Sequence, residues 1–247
     1  MTAELTSIII PVRNQWTYTR QCLAAIRRFT PTPHEVIVID NRSTDDTVWA
    51  LGKQPGIRRI RNEVNRGFAA AVNQGLKAAR GTVTVLLNND TLVSHRWLSQ
   101  LLTVLKAHPR NGMVGPVSNR VIPEQKVAVS LTTPQEVHRY CARHNRSDPR
   151  QWRQADRLSG FCLMFPTRLI QEVGDWDERF GVGTFEDDDY SWRVKRAGYR
   201  LIVAGDTYVH HYGSRSFRKR SYREFRKILE QNRRYFEQKH QKNPDRC

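Results

Sequence analysis

The chain has 247 residues, with 41 Lys and Arg against 24 Asp and Glu, a formal charge of +17. That length fits one α/β domain or one domain with an appendage, and 38% hydrophobic and 9% aromatic residues supply a packed core, which excludes disordered and collagen-like chains. The longest apolar runs, Ile8–Ile10 with Val12 beyond Pro11 and Val83–Leu87, fall far short of the ~20 residues of a bilayer span. The opening Met1-Thr2-Ala3-Glu4-Leu5 lacks the basic, apolar and cleavage regions of a secretory signal, so a cytoplasmic location is expected. Cys22, Cys141, Cys162 and Cys247 form no CxxC pair, and reduced thiols are expected.

In chain order, Ser7–Val12 is a β-branched run that predicts a strand, and Tyr18, Cys22, Leu23, Ile26 and Phe29 at helical spacing predict the helix after it. Val36–Ile39 predicts a second strand, and Ser43-Thr44-Asp45-Asp46 has the form of a helix start. Ile57–Arg61 reads as a short third strand. Phe68, Ala71, Val72, Gly75, Leu76 and Ala79 form a helical stripe leading into the strand Val83–Leu87, and Leu98, Leu101, Leu102 and Leu105 mark the next helix. This alternation through residue 117 is the pattern of βαβ units on a mostly parallel sheet.

From Ser118 to about Arg157 the pattern weakens around Pro123, Pro134 and Pro149, which predicts a long excursion with one helix near Gln135–Arg143. Order resumes with a strand over Leu158–Phe165, a helix near Asp189–Ala197 and a strand at Thr207–Val209. Phe225, Ile228, Leu229 and Phe236 then recur at helical intervals, predicting a basic amphipathic helix over Tyr222–Phe236. Residues 211–247 hold twelve Lys and Arg against Glu224, Glu230, Glu237 and Asp245, so an anionic partner is expected near that end.

In an open parallel sheet, ligands bind beyond the carboxyl ends of the strands. Pro11-Val12-Arg13-Asn14, Asp40-Asn41 and Asn88-Asn89-Asp90 stand there. An aspartate at a strand end can accept hydrogen bonds from a ribose hydroxyl or a base N–H; Asp40 suits a turn or cap equally well. Asp90 is suited to a hard cation such as Mg²⁺ or Mn²⁺ that also binds phosphates, and Asn88-Asn89-Asp90-Thr91 is also good turn chemistry. No GxGxxG or GxxxxGK[ST] occurs, which removes most support for dehydrogenase and P-loop readings.

Glu186-Asp187-Asp188-Asp189 is the densest acidic segment in a strongly basic chain. Such carboxylates either open a helix, where its dipole favours them, or provide a base for proton abstraction. His210-His211 after the last strand can ligate metal, orient an acceptor or serve structure alone. Gly181-Val182-Gly183-Thr184 reads as a mobile segment, and Trp176 suits a sugar ring or the core.

In order, SIIIPVRN, EVIVIDNRSTDDT, NRGFAAAVNQG, VLLNNDT, SGFCLMFPTRLIQEVGDWDERFGVGTFEDDDYSWRVKRAGYR and VHHYGSRSF resemble family-2 glycosyltransferases of the GT-A nucleotide-diphospho-sugar transferase fold, particularly bacterial enzymes of surface-polysaccharide assembly. The resemblance covers about residues 5–218. It implies an α/β fold with a mostly parallel central sheet flanked by helices: a transferase domain at 1–218, divided into a donor-binding half at 1–117 and an acceptor half at 118–218, followed by a basic helix and tail at 219–247. It implies that Pro11 and Asn14 border the base and ribose, that Asp40 holds one of them, and that Asn65, Gly67 and Asn73 line the donor pocket, with Arg13 and Asn89 in the same site. Asp90 falls in the family's metal-binding motif, where Asn88 replaces the usual first Asp, and His211 on its late histidine, with His210 the second candidate. Asp187 falls on the general base, with Glu186 or Asp189 as its support or acceptor contact.

The implied reaction is a single displacement with inversion, moving a sugar from a nucleotide-diphosphate donor to a saccharide or lipid-linked acceptor with a divalent metal, Mg²⁺ or Mn²⁺. Arg215, Arg218, Lys219 and Arg220 are expected near donor phosphates, and the last helix against either the domain or an anionic membrane surface. No nucleic acid is expected in that frame. A nucleic-acid-binding basic protein without catalysis is the alternative that the charge alone suggests, and a nucleotidyltransferase the alternative within enzymes.

Overall fold

The computed structural model of the chain describes residues 4–213 and 222–241. Its first part alternates strand and helix: β1 (Thr6–Val12), α1 (Trp16–Phe29), β2 (His34–Asp40), α2 (Thr47–Gly52), β3 (Ile57–Arg61), α3 (Phe68–Ala78), β4 (Val83–Leu87), the short β5 (Thr91–Leu92), α4 (Trp97–Lys106) and β6 (Asn111–Val117). Then follow α5 (Pro134–His144), β7 (Trp152–Ala155), β8 (Cys162–Pro166), α6 (Leu169–Val173), α7 (Glu186–Arg196), β9 (Arg200–Tyr208), the short β10 (His210–His211) and α8 (Tyr222–Gln241).

Eight strands make one sheet in the order β3-β2-β1-β4-β8-β6-β9-β7. The first four run parallel, β8 is antiparallel to both β4 and β6, β6 and β9 are parallel, and β7 edges β9 antiparallel. Ile8, Ile9 and Ile10 in β1, Ile37, Val38 and Ile39 in β2 and Val85, Leu86 and Leu87 in β4 are fully buried, as continuous apolar runs are when a sheet is covered on both faces. α3 lies so close to β1 that a Cβ on Gly75 would sit 2.3 Å from Ile9 Cγ2; only glycine fits there.

Three differences from expectation have local causes. α2 starts at Thr47 because Ser43 and Asp45 are spent on turns, Ser43 N donating to Asp40 Oδ1 and Thr47 N to Asp45 Oδ1. The strand expected from Leu158 begins at Cys162, because Leu158 N and Gly160 N turn to Ser191 Oγ and Asp187 Oδ2. The excursion at 118–157 holds an edge strand as well as a helix: β7, anchored by Trp152 Nε1 donating to Asp206 Oδ2 at 2.7 Å.

A second, two-stranded sheet pairs β5 with β10 antiparallel, setting His211 opposite Thr91. This pairing draws the end of the sheet's last strand back across the residue that follows β4. Cys22, Cys141 and Cys162 are buried and free, and burial pushes the Cys22 and Cys141 thiols up to about 12; Cys247 lies outside the described residues. No helix among the described residues is long and apolar enough to cross a membrane.

Candidate active site

A cavity of about 520 Å³ opens beyond the carboxyl ends of β1, β2 and β4, lined by the segments that follow these strands and by the start of α7. Its first wall is Pro11 to Gln15 with Asn41. Asn14 and Gln15 both take left-handed φ values, 61° and 67°, and a zipper to the next loop holds them there. Asn14 N donates to Ser43 Oγ at 2.8 Å, Thr44 N donates to Asn14 Oδ1 at 2.6 Å, and Gln15 N donates to Asp45 Oδ2 at 2.8 Å. Asn41 braces the following turn, giving its Nδ2 proton to Gly67 O and accepting from Arg66 N on Oδ1.

Asn88, Asn89 and Asp90 form the floor. Asn89 is held by donating to Thr19 Oγ1 at 2.8 Å. Asp90 Oδ1 lies 3.2 Å from His211 Nε2, both groups nearly buried. His211 Nδ1 lies 2.8 Å from Arg120 O, a group that only accepts, so the proton of a neutral ring sits on Nδ1 and the Nε2 lone pair faces the Asp90 carboxylate. Two lone-pair bearers at that distance require a proton or cation between them, and an imidazole oriented through its other nitrogen is the usual form of a metal-ligating histidine. Phe161 stacks on the ring at 5.2 Å and 20°. No group of three His, Cys, Asp or Glu gathers among the described residues, so a hard cation here would take its other ligands from phosphate oxygens and water. Asp90 and His211 therefore fit Mg²⁺ or Mn²⁺.

The opposite wall is Ser159 to Phe161, Val182 to Thr184, and Glu186 and Asp187 at the start of α7. Asp187 Oδ2 accepts from Gly160 N at 2.8 Å and Oδ1 from Asp188 N at 3.0 Å. Burial, reinforced by the Asp188 carboxylate, pushes Asp187 up to about 6. Glu186 is held well above the usual carboxylate range by burial and then by Asp187, and its Oε2 has no hydrogen-bond partner among the described residues. Asp188 is raised by burial against the pull of Arg157, whose Nη1 donates to it at 3.2 Å.

The predicted residues thus divide. Pro11, Arg13, Asn14, Asn65, Asn89, Asp90, Glu186, Asp187 and His211 line one cavity. Asp40 does not: it is fully buried, with Oδ2 on Arg59 at 2.6 Å and Oδ1 on Ser43 N, and it shapes the cavity only through Ser43. Gly67 is a packing site, since a Cβ there would meet Gly181 O at 2.0 Å. Asn73 is buried between Trp176 and Glu178, donating to Trp176 O and Glu178 Oε1 while accepting from Trp176 N. Asp189 faces away from the cavity: Arg193, Lys239 and His240 surround its fully buried carboxylate.

Trp176 is core, stacked on Tyr190 at 4.5 Å and 11°. His210 is structural as well, with Nδ1 3.0 Å from Tyr208 Oη and burial pushing it down to about 4. Arg215, Arg218, Lys219 and Arg220 lie outside the described residues. Sequence reasoning missed Gln15, Phe68, Ser159, Gly160 and Phe161 as lining residues.

Residues 7–245 match the family model described as Glycosyl transferase family 2. The chain is 26% identical over 222 residues to the N-acetylglucosaminyl-diphospho-decaprenol L-rhamnosyltransferase of Mycobacterium tuberculosis, covering 78% of this chain and 71% of that protein. It is 30% identical over 209 residues to the pre-mycofactocin glycosyltransferase of the same organism, covering 79% of this chain and 40% of that one. Among solved structures it resembles GalNAc-T7 with UDP, GalNAc and Mn²⁺, at TM-score 0.70 and 17% identity over 96% of this chain and 50% of that chain. It also resembles the mannosyltransferase PcManGT from Pyrobaculum calidifontis with GDP-Man and Mn²⁺, at TM-score 0.68 and 21% identity over 94% of this chain and 62% of that chain. The chain thus spans between half and two thirds of these two structures, and at such identities the likeness establishes the fold, a GT-A sheet with flanking helices.

Proposed function

This chain belongs to glycosyl transferase family 2, and on that premise we propose that it moves a sugar from a nucleotide-diphosphate donor to an acceptor hydroxyl, inverting the anomeric carbon. One observation carries the reading: a cation-ready pair, Asp90 and His211, shares a cavity with a carboxylate raised to about 6, Asp187.

On this reading the nucleoside lies against Pro11 to Asn14 and Asn41, and the diphosphate lies over Asn89 and Asp90. Asp90 and His211 would hold a divalent cation, Mg²⁺ or Mn²⁺, which when bound would neutralise charge developing on the departing diphosphate. Asp187 takes the acceptor proton while the acceptor oxygen bonds to the anomeric carbon and the bond to the diphosphate breaks. The amide N–H groups of Gly160 and Asp188 aim its carboxylate without neutralising it. Glu186, which keeps its proton more firmly than an ordinary carboxylic acid, donates from Oε2 to a sugar hydroxyl.

The relative named for a diphospho-decaprenol substrate supports a lipid-linked saccharide as acceptor. The exposed Arg223, Lys227, Arg233 and Arg234 on α8 support contact with anionic lipid at the cytoplasmic face of a membrane; flotation with anionic vesicles tests it, and failure to float removes it. For the reaction itself, UDP-, dTDP- and GDP-sugars are offered with Mn²⁺ and release of nucleoside diphosphate is followed. One donor class is expected to be turned over by the wild type and not by Asp187→Asn, with nucleoside diphosphate binding retained. Release at the same rate in both proteins would contradict the role given to Asp187.

A further inference from the structure

The basic helix α8 runs along the back of the segment that forms the cavity's catalytic wall. Asn232, buried on its inner side, is 8% exposed. Its Nδ2 lies 2.9 Å from Phe180 O, 3.0 Å from Gly183 O, and 3.1 Å from both Thr184 O and Thr184 Oγ1. Three of these four oxygens are carbonyls that only accept, so the group facing them must be the amide NH₂ and not its oxygen.

The segment so held needs holding. Gly181, Gly183, Thr184 and Phe185 have φ of 63°, 130°, 85° and 68°, and a β-branched threonine or a phenylalanine at positive φ persists only where its surroundings enforce it. Enforcement comes from two sides. In front, Phe68 N donates to Gly181 O at 3.1 Å; behind, Asn232 collects the carbonyls. Two further ties set the register of α8: Tyr235 Oη and Lys239 Nζ on Asp177 Oδ2, and His240 Nε2 with Lys239 Nζ on Asp189 Oδ1.

We propose that Asn232 is a positioning residue for the transfer reaction: it splints residues 180–185 from behind, fixing the cavity wall at Val182 to Thr184 and the direction in which α7 presents Glu186 and Asp187. The inference rests on the reaction proposed above. It gives a helix that composition marks only as basic a part in building the site, through a residue without charge.

The test compares wild type, Asn232→Ala and Asn232→Asp, with Gln231→Ala on the exposed face of α8 as control. Hydrogen exchange of residues 180–185 is measured first, then turnover of the accepted nucleotide sugar, and binding of the matching nucleoside diphosphate with Mn²⁺. Exchange at 180–185 is expected to accelerate at least tenfold in both Asn232 variants, with β1 and β4 unchanged. Turnover is expected to fall at least tenfold while nucleoside diphosphate affinity stays within threefold, because the nucleoside wall is braced separately. Asn232→Asp, which sets a carboxylate against three carbonyls, is expected to lose more than Asn232→Ala, and Gln231→Ala to lose nothing. Unchanged exchange, or loosened exchange with wild-type turnover, would overturn the proposal. So would equal loss of sheet protection and turnover in Asn232→Ala, the mark of general destabilisation. If the wild type turns over no donor while the variants loosen 180–185, the splint stands and the transfer reading has failed, so the two failures are told apart.

Discussion

Asp187 and Asp189 stand two residues apart on α7, and since two residues turn a helix by about 200°, they face opposite surroundings. Asp187 borders the cavity with two amide N–H groups and, among the described residues, no cation as hydrogen-bond partners, and burial raises it to about 6. Asp189 is fully buried against α8 among Arg193, Lys239 and His240. The difference separates two uses of one residue type: a carboxylate without a counter-charge retains affinity for a proton, while one fully matched by cations joins two helices. Four consecutive acids in the sequence therefore do not make one site.

The contrast breaks most sharply if the two positions are exchanged in effect. Asp187→Asn is expected to lower turnover by about 10²- to 10⁴-fold, the usual worth of a positioned base. It is also expected to flatten the pH dependence of Tm between about 4 and 6, while its NH₂ leaves one of the two backbone N–H donors without an acceptor. The sign follows from the shift: the folded state holds the proton up to about 6, above the ordinary 3.8, so stability is lost as pH rises through that window, and the amide removes the loss. A differential melting curve checks it.

Asp189→Ala is expected to act on stability instead, costing about 3–5 kcal/mol by removing the buried carboxylate on which Arg193 and Lys239 converge, with α8 amides exchanging faster than the sheet. In the wild type, turnover is expected to climb with pH through about 6 as Asp187 ionises. Asp188→Asn removes the neighbouring carboxylate that contributes to this shift and is expected to move the climb to lower pH by less than about one unit, which a pH–rate profile reads directly. At the small end, Arg234→Ala breaks only the exposed pair with Glu230 and is expected to change stability by less than about 0.5 kcal/mol.

Much of this architecture was legible because burial on both faces writes itself as continuous apolar runs. Ile8–Ile10, Val36–Ile39 and Val83–Leu87 all became strands of the sheet, and the helical stripes between them became α1, α3 and α4. β7 was not legible, since an edge strand of four residues with exposed Arg153 and Gln154 carries no apolar pattern. Within the site, position after a strand end singled out Asn14, Asn89 and Asp90, and all three line the cavity. It also singled out Asp40, which stands back from the cavity on Arg59 of the neighbouring strand β3, a pairing that only sheet register creates. The division between Asp187 and Asp189 was latent in helical periodicity, but which face met the cavity depended on where α8 docks. Asn232, a polar residue in a charged helix, carried no signal at all until its four oxygen neighbours were in place.

The measurement that bears most directly on the transferase reading is thermal stabilisation by UDP, dTDP and GDP, with and without Mn²⁺, in wild type and Asp90→Ala. A ligand that binds only the folded state raises its stability by RT ln(1 + [L]/Kd). A shift with one nucleotide that requires Mn²⁺ and disappears in Asp90→Ala is the predicted result. No shift with any nucleotide, together with salt-sensitive binding to nucleic acid, would contradict it.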